Sequence, residues 1–310
     1  MGHENMRQPV RVFGFLLTAA AIVFFVVFIR REWHGLDPEV WSNLQWPLLG
    51  AGLLIYVGHI FLHPVAWRML LGFTGNAPAL RPATALFLES QFAKYVPGNI
   101  AQHLSRVFLS RKLGLPTGAV VLTLVVEAAW ASAAGAVIAL LAAGAAGLDI
   151  LPPGIRLPIL GTGILAAFLV PIALPRLAGV LIARMPQLKG VRLPDFRPTV
   201  PKTMACMAIY AASFLVLGVV TWLIAIAIGS ESPPVLAVTA CAVTSWLAGF
   251  LTPGSPAGAG IRDTVLVLGL ATIIPAPEAA LVAILHRLLT ALGDLILFLI
   301  GKQMAGGASS

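Results

Sequence analysis

Long apolar runs separated by short polar segments make up most of this chain. A helix needs roughly 20 apolar residues to cross the hydrocarbon core of a bilayer, which is about 30 Å thick. The pattern therefore predicts an all-α, polytopic integral membrane protein with about six full spans. The predicted spans cover residues 12–29, 46–72, 116–144, 158–174, 203–228 and 279–300.

Two other stretches, 82–113 and 235–274, do not fit simple spans. Each contains two apolar pieces of roughly 15 residues, and a helix of that length reaches only about 22 Å. The breaks are Pro97-Gly98 and Pro253-Gly254-Ser255-Pro256, and proline next to glycine ends a helix. Each stretch is predicted to be a re-entrant helical hairpin, whose turn must lie against protein or a wet cavity.

The two hairpins also repeat in sequence. An arginine follows the first proline of each break by nine residues, as Arg106 and Arg262. A long helix with internal charge comes next in both halves. Three spans separate the hairpins, an odd number, so the second half is predicted to be inverted relative to the first. Inverted repeats with broken helices are typical of secondary transporters.

We predict a single transmembrane domain over residues 1–310. The loop 176–202 carries six basic residues and one acidic residue, so we expect it on the cytoplasmic side of the inner (cytoplasmic) membrane. Counting spans from this loop places both termini in the cytoplasm. The predicted parts are a first helix and interfacial segment (12–45), repeat 1 (46–145), a linking helix with the basic loop (157–202) and repeat 2 (203–301).

Composition narrows the class of protein further. Charged residues make up 10% of the 310 residues and hydrophobic residues 59%, whereas a soluble domain carries roughly 25% charged residues. A soluble enzyme, a disordered protein and a disulfide scaffold are therefore excluded. The net charge of +8 fits basic loops facing anionic lipid, and we expect no nucleic-acid partner.

Eight charged residues fall at the predicted depth of the membrane, where charge is costly. Four are basic and four acidic, so pairing among them is expected. They are Glu89, Lys94, Arg106, Glu127, Arg262, Asp263, Arg287 and Asp294.

The hairpin breaks predict two anion sites. A helix that restarts there, with Asn99 or Ser255 as its N-cap, points free N–H groups toward the midplane, and helix N-termini favour anions. Arg106 and Arg262 follow about two turns later, and a guanidinium grips phosphate through two hydrogen bonds. The predicted substrate-binding residues are Lys94, Pro97, Gly98, Asn99, Arg106, Glu127, Pro253, Gly254, Ser255, Gly258, Arg262, Asp263, Arg287 and Asp294.

Structural roles remain open for the same residues. Arg106 and Arg262 would alternatively lie at the hairpin mouths and reach lipid headgroups. Glu127 and Arg287 occupy corresponding positions and are expected to form a gate or an ion pair. Glu89 and Lys94 would otherwise lie near the membrane interfaces, and Arg287 and Asp294 would only bridge to other helices.

No cofactor, metal site or catalytic residue is predicted. His59 and His63 lie four residues apart and share a helix face, but Pro64 follows directly and no carboxylate lies nearby in sequence. Phosphate loops, nucleophile elbows and metalloprotease motifs are absent from the sequence.

The motifs resemble the transmembrane region of lysylphosphatidylglycerol synthases, a family that forms the membrane part of bacterial aminoacyl-phospholipid synthase/flippases and also occurs alone. The resemblance covers nearly the whole chain. Two departures are Ala257, where the family commonly has glycine, and Asp263, where it has glutamate. The matching segments are Lys94-Tyr95-Val96-Pro97-Gly98-Asn99 with Arg106 and Glu127, then Gly249-Phe250-Leu251-Thr252-Pro253-Gly254-Ser255-Pro256 with Gly258-Ala259-Gly260-Ile261-Arg262-Asp263, and His286-Arg287.

The resemblance implies a flippase that moves a phosphate-bearing lipid, anionic or aminoacylated, between leaflets. No synthase domain follows before Ser310, so we do not expect aminoacyl transfer. Membrane lipids are the expected partners, and a homo-oligomer or a lipid-biosynthesis protein is a further partner to consider. Two alternatives stay open: a lipid-modifying enzyme with Glu127 or His103 as general base, and a non-transporting organiser of a lipid-biosynthesis complex with a sealed interior.

Overall fold

The computed structural model describes residues 42–95, 101–147, 194–252 and 260–306. The predicted spans 12–29 and 158–174 lie outside these ranges, as do both hairpin turns and most of the basic loop. Predictions about sidedness and domain boundaries therefore stay predictions.

The described part of the chain is all helical and contains no strand. Two short 3-10 turns, Phe92–Tyr95 and Arg111–Leu113, adjoin the helices of the first hairpin. The helices are α1 (Trp46–Ile60), α2 (Leu62–Gly72), α3 (Leu80–Gln91), α4 (Ala101–Ser110), α5 (Thr117–Ala145), α6 (Val200–Ala227), α7 (Val235–Leu251), α8 (Ile261–Leu270) and α9 (Ala276–Gly306).

Four segments in these ranges are long and apolar enough to cross a membrane. They are α1 with α2, then α5, α6 and α9, and each matches a predicted span to within a few residues. The first is interrupted at Phe61, because Pro64 has no N–H to donate to the carbonyl of Ile60. The chain is thus a multi-pass membrane protein, and the total of six spans rests on segments outside the described ranges.

Proline marks the start of most helices. Because the first N–H groups of a helix have no intrahelical partner, proline costs little in the first turn or just before it. This explains why sequence boundaries and structural boundaries agree closely. The prolines concerned are Pro47 in α1, Pro82 in α3, Pro116 before α5, Pro201 in α6, Pro234 before α7 and Pro277 in α9.

The segments 80–113 and 235–270 each consist of two short helices packed against each other, α3 on α4 and α7 on α8. The returning helices α4 and α8 have 10 residues each, about 15 Å, or half of the hydrocarbon core. Both halves have the same order: a long helix, a short-helix pair and another long helix. Whether the second half is inverted depends on residues 148–193 and stays a prediction.

The predicted position of Arg262 within the second half-helix needs correction. Helix α8 begins at Ile261 with Gly260 as its N-cap, and Ser255 and Pro256, the predicted start, lie outside the described residues. Gly260 has a φ of +85°, which favours glycine, and its N–H donates to Asp263 Oδ2 at 3.0 Å. Arg262 therefore lies in the first turn of α8 rather than two turns further along.

Helices α6 and α9 form the centre of the bundle. About half of the most apolar window of each is buried, against about a quarter for the first span and α5. Helix α9 packs most extensively on α3 and also contacts α8, α1 and α6. Both hairpins thus rest on α9, which fixes their positions relative to each other.

The contact between α9 and α3 depends on Gly301. A Cβ atom at this position would lie 2.7 Å from the backbone nitrogen of Glu89 and 3.0 Å from the carbonyl oxygen of Ala85. Small residues allow membrane helices to approach this closely, and backbone atoms of a helix cannot move aside cheaply.

Gly301→Ala is expected to destabilise the protein by about 1–3 kcal/mol through overpacking. The measurement is the melting midpoint of the purified protein in detergent, followed by tryptophan fluorescence. Gly58→Ala is the matched control, since nothing lies within 4 Å of a Cβ there, and its midpoint should stay equal or rise. Equal midpoints for the two variants would contradict the close α3–α9 contact.

Candidate functional site

A cavity of about 210 Å³ lies between the two hairpins and the central helices. Its described charged lining comes from the first hairpin (Lys94), from α5 (Glu127), from the start of α8 and from α9. Six of the eight membrane-depth charges line this one cavity, although they are spread over 200 residues of sequence. These six are Lys94, Glu127, Arg262, Asp263, Arg287 and Asp294.

Asp294 is the most buried of these charges, with 0% exposure. Its carboxylate accepts hydrogen bonds from Tyr56 Oη at 2.9 Å and from Tyr95 Oη at 2.6 Å. Lys94 Nζ lies 2.7 Å from Asp294 Oδ2 and forms an ion pair with it. Since Lys94 and Tyr95 belong to the first hairpin, Asp294 joins that hairpin to α9.

A second ion pair joins the second hairpin to the same helix. Arg287 Nη1 lies 2.7 Å from both carboxylate oxygens of Asp263. Asp263 belongs to the first turn of α8 and also accepts the N–H of Gly260, so one carboxylate both caps α8 and binds α9. Charge-assisted bonds of this length are stronger than neutral ones.

The third pair differs from the predicted one. Glu127 Oε2 lies 2.7 Å from Arg106 Nη1, and Arg287 is bound to Asp263, so the predicted Glu127–Arg287 ion pair is wrong, while a role of these residues in a gate stays a prediction. Arg106 is nearly inaccessible, with its guanidinium 4.2 Å from the ring centre of Phe87. A position at the hairpin mouth is therefore also wrong for Arg106, because its counterion lies inside the bundle and because the aromatic face attracts the cation.

Arg262 is the exception among these charged side chains. It is half-buried and lines the cavity, yet it makes no hydrogen bond or ion pair with any residue of the described ranges. The charges of Asp263 and Arg287 lie near it, but the Asp263 oxygens are bound by Arg287. A cation in this position has the capacity to bind an anion that enters the cavity.

The remaining predicted positions divide into two groups. Glu89 is not among the residues that line the cavity and lies 3.5 Å from Lys302 in a partly exposed ion pair. The turn residues lie outside the described ranges. These are Pro97, Gly98, Asn99, Pro253, Gly254, Ser255 and Gly258.

Histidines and tyrosines of the lining were not predicted as substrate-binding residues, although His103 was considered as a general base. His286 is 3% exposed, and its Nε2 has no partner among the described residues. The sequence signals were the spacing of His59 and His63, the place of Tyr95 in the first motif, and the position of His286 directly before Arg287. Those lining the cavity are His59, His63, His103, His286, Tyr56, Tyr95 and Tyr210.

His63 also contacts a hydroxyl group. Its Nε2 lies 3.0 Å from Ser213 Oγ on α6, and Ser213 Oγ donates to the carbonyl of Ile209 at 2.8 Å. Among the described residues no group of three or more possible metal ligands occurs. The histidines contribute polar groups to the lining of the cavity.

Comparison with protein families decides the relationship of this chain. The family model described as the lysylphosphatidylglycerol synthase TM region matches residues 11–297. The protein belongs to this family. The match confirms the resemblance inferred from the hairpin motifs, and it spans both hairpins together with the central helices. No curated protein matches the chain.

Membership of the lysylphosphatidylglycerol synthase TM region family gives the cavity a context. The matched region includes all six lining charges and the three ion pairs. It is a transmembrane region by description, in agreement with the four apolar spans. The chemistry of the site has to be argued from its own residues.

Removal of the Asp294 charge tests the central ion pair. Asp294→Asn leaves Lys94 without its counterion inside the bundle, and breaking a buried pair costs about 3–5 kcal/mol. A large drop of the melting midpoint is expected, and Lys94→Gln combined with Asp294→Asn should recover part of it.

The control is Asp195→Asn, which breaks an exposed pair with Arg197 at 2.9 Å and should leave the midpoint nearly unchanged. If the double variant were as unstable as the sum of the two single variants, the direct pairing of Lys94 with Asp294 would be refuted.

Proposed function

We propose that this protein moves a lipid with a phosphate-bearing headgroup between the leaflets of the cytoplasmic membrane. The observation that carries the proposal is the cavity between the two hairpins, with Arg262 in its wall and no counterion for Arg262 among the described residues. A phosphate group supplies that counterion, and a guanidinium suits it geometrically.

The composition of the lining supports a lipid as substrate. Alongside the charged groups, α6 and α7 contribute an aromatic part of the wall. The ring of Trp246 stacks on that of Phe250 with 4.7 Å between the ring centroids, and its centroid lies 5.0 Å from that of Phe214. Next to it Leu251 is 67% exposed, as expected for a residue that faces lipid. A headgroup occupies the polar part while its acyl chains remain in the bilayer.

The ion pairs provide a means of movement. Residues 287 and 294 lie seven residues apart on α9, about two turns, and share one helix face. The hairpins are thus held by two pairs on one face, Arg287 with Asp263 and Asp294 with Lys94. A phosphate that binds Arg287 or Lys94 competes with the carboxylate and loosens one hairpin at a time, which is the alternation that a translocator requires.

An inverted repeat and a cytoplasmic position of both termini belong to this proposal, because they make the hairpins open to opposite faces. A non-transporting organiser with a sealed interior is less favoured, since the cavity between the hairpins has no role in it. A homo-oligomer or a lipid-biosynthesis protein as partner is compatible with the proposal and is not required by it.

The transport proposal is tested by replacing the unpaired cation. Arg262→Gln is expected to lower the initial rate of transfer of a fluorescent phospholipid at least about tenfold, because one charge-assisted contact with phosphate contributes roughly 1.5–3 kcal/mol. The measurement is dithionite bleaching of NBD-phosphatidylglycerol in proteoliposomes that contain the purified protein.

Arg81→Gln is the matched control, since Arg81 is exposed on α3 and does not line the cavity. Its transfer rate should equal that of the wild type. Equal rates for the wild type and Arg262→Gln would remove Arg262 from the substrate path, and no transfer by the wild type above empty liposomes would reject the function.

Lipid modification is the second candidate, and the contact between Ser213 and His63 favours it. A hydroxyl 3.0 Å from an imidazole nitrogen is the spacing of a nucleophile and its base. Activation would require the Ser213 proton to turn from the carbonyl of Ile209 to His63 Nε2. Glu127, a base expected from the sequence, is less suited because Arg106 binds its carboxylate.

Incubation of the protein with radiolabelled phosphatidylglycerol discriminates between the candidates. The translocator proposal predicts no new lipid on thin-layer chromatography and unchanged transfer by Ser213→Ala. A labelled product formed by the wild type and absent with Ser213→Ala would establish the enzyme instead.

A further inference from the structure

The charges of the described residues at the cavity do not balance. Three carboxylates each form one ion pair, and one guanidinium is left over among these residues. The lining cations are Lys94, Arg262 and Arg287, the lining anions are Glu127, Asp263 and Asp294, and Arg106 behind the wall is the partner of Glu127. With the four lining histidines neutral, the described site carries one net positive charge.

We propose that the site selects a phosphodiester headgroup with one net negative charge over zwitterionic and cationic headgroups. This inference rests on the proposed function and names its substrate class. An uncompensated charge inside a membrane protein is costly, and a single phosphodiester anion restores neutrality. A headgroup that also carries an amine leaves the positive charge uncompensated, and a basic aminoacyl headgroup doubles it.

The hairpin turns do not change this count. Residues 96–100 and 253–259, which adjoin the cavity in sequence, contain no charged side chain. Glu89 and Lys302 neutralise each other away from the lining. The excess charge therefore belongs to Arg262 in the first turn of α8, where the helix N-terminus adds positive potential of its own.

A second observation points to a ligand at the same place. His286 precedes Arg287 on α9, is buried and lines the cavity, and its Nε2 has no partner among the described residues. Buried polar atoms without partners are rare in native structures. A neutral imidazole with its proton on Nε2 donates to a phosphate oxygen, which completes the hydrogen bonding of this nitrogen.

The size of the cavity fits a headgroup rather than a whole lipid. Its volume of about 210 Å³ is below the roughly 300–1,000 Å³ of pockets that enclose drug-sized ligands. The acyl chains thus stay outside, and discrimination depends on the headgroup. Because the lining carries charged side chains, it discriminates headgroups mainly by their net charge.

Competition binding tests the selectivity without requiring transport. NBD-phosphatidylglycerol is bound to the purified protein in detergent at pH 7.5 and displaced by unlabelled lipids with identical acyl chains. Phosphatidylglycerol should displace it at concentrations at least about tenfold lower than phosphatidylethanolamine or lysylphosphatidylglycerol. In Arg262→Gln the difference between phosphatidylglycerol and phosphatidylethanolamine should fall to within about twofold, whereas Arg262→Lys should retain it.

Several outcomes separate the two proposals. Equal displacement by the three lipids with the wild type overturns the charge selectivity, even if Arg262→Gln does not fold, and so does full selectivity in a folded Arg262→Gln. Selective binding without transfer in proteoliposomes supports the selectivity and rejects the translocator. Transfer in proteoliposomes without selective binding supports the translocator and rejects the charge selectivity.

A deacylated arm distinguishes a lipid from a soluble phosphodiester. Glycerophosphoglycerol has the same charge and no acyl chains. If glycerophosphoglycerol displaces the probe at the same concentrations as phosphatidylglycerol, the site binds a soluble phosphodiester. That result would support the charge selectivity and contradict a lipid substrate. Weaker displacement supports the lipid.

Discussion

Every charge inside a membrane protein needs a counterion within reach, because lipid supplies neither water nor ions. This constraint organises the centre of the bundle. Arg106 with Glu127, Lys94 with Asp294 and Arg287 with Asp263 each join residues that are distant in sequence. The fold thus gains its long-range specificity from three ion pairs rather than from hydrophobic contrast, since lipid and core are equally apolar.

Two of these pairs share α9, and that makes α9 the common support of both hairpins. Its Arg287 holds α8, and its Asp294 holds the first hairpin through Lys94 and Tyr95 and holds α1 through Tyr56. Gly301 lies seven residues after Asp294 on the same helix and lets the backbone of α3 come into contact with α9. In the proposed translocator, these separate pairs would let α9 release one hairpin while it keeps the other, which one continuous network would not allow.

The helical architecture could be predicted from the sequence because span length and proline position are local properties. The span 46–72 and the starts of α5 and α7 follow from them directly. The start of α8 at Ile261 could not, since it coincides with the positive φ of Gly260, a backbone conformation that the local sequence does not single out. The set of membrane-depth charges was also predictable, as charge in apolar sequence stands out.

The pairing of those charges was not predictable, because it depends on which helix faces meet. Glu127 and Arg287 occupy equivalent places in the two halves, and symmetry alone would pair them. In the structure Glu127 meets Arg106 within its own half, and Arg287 meets Asp263 within the other. Each half therefore neutralises its own arginine and carboxylate, while Lys94 and Asp294 form the pair that joins the halves. Arg262 is not neutralised in this way by any residue of the described ranges. The repeat places arginine nine residues after the proline in both hairpins, but only Arg106 has a carboxylate of its own among the described residues. The departure from symmetry at Arg262 is what gives the cavity its unmatched charge.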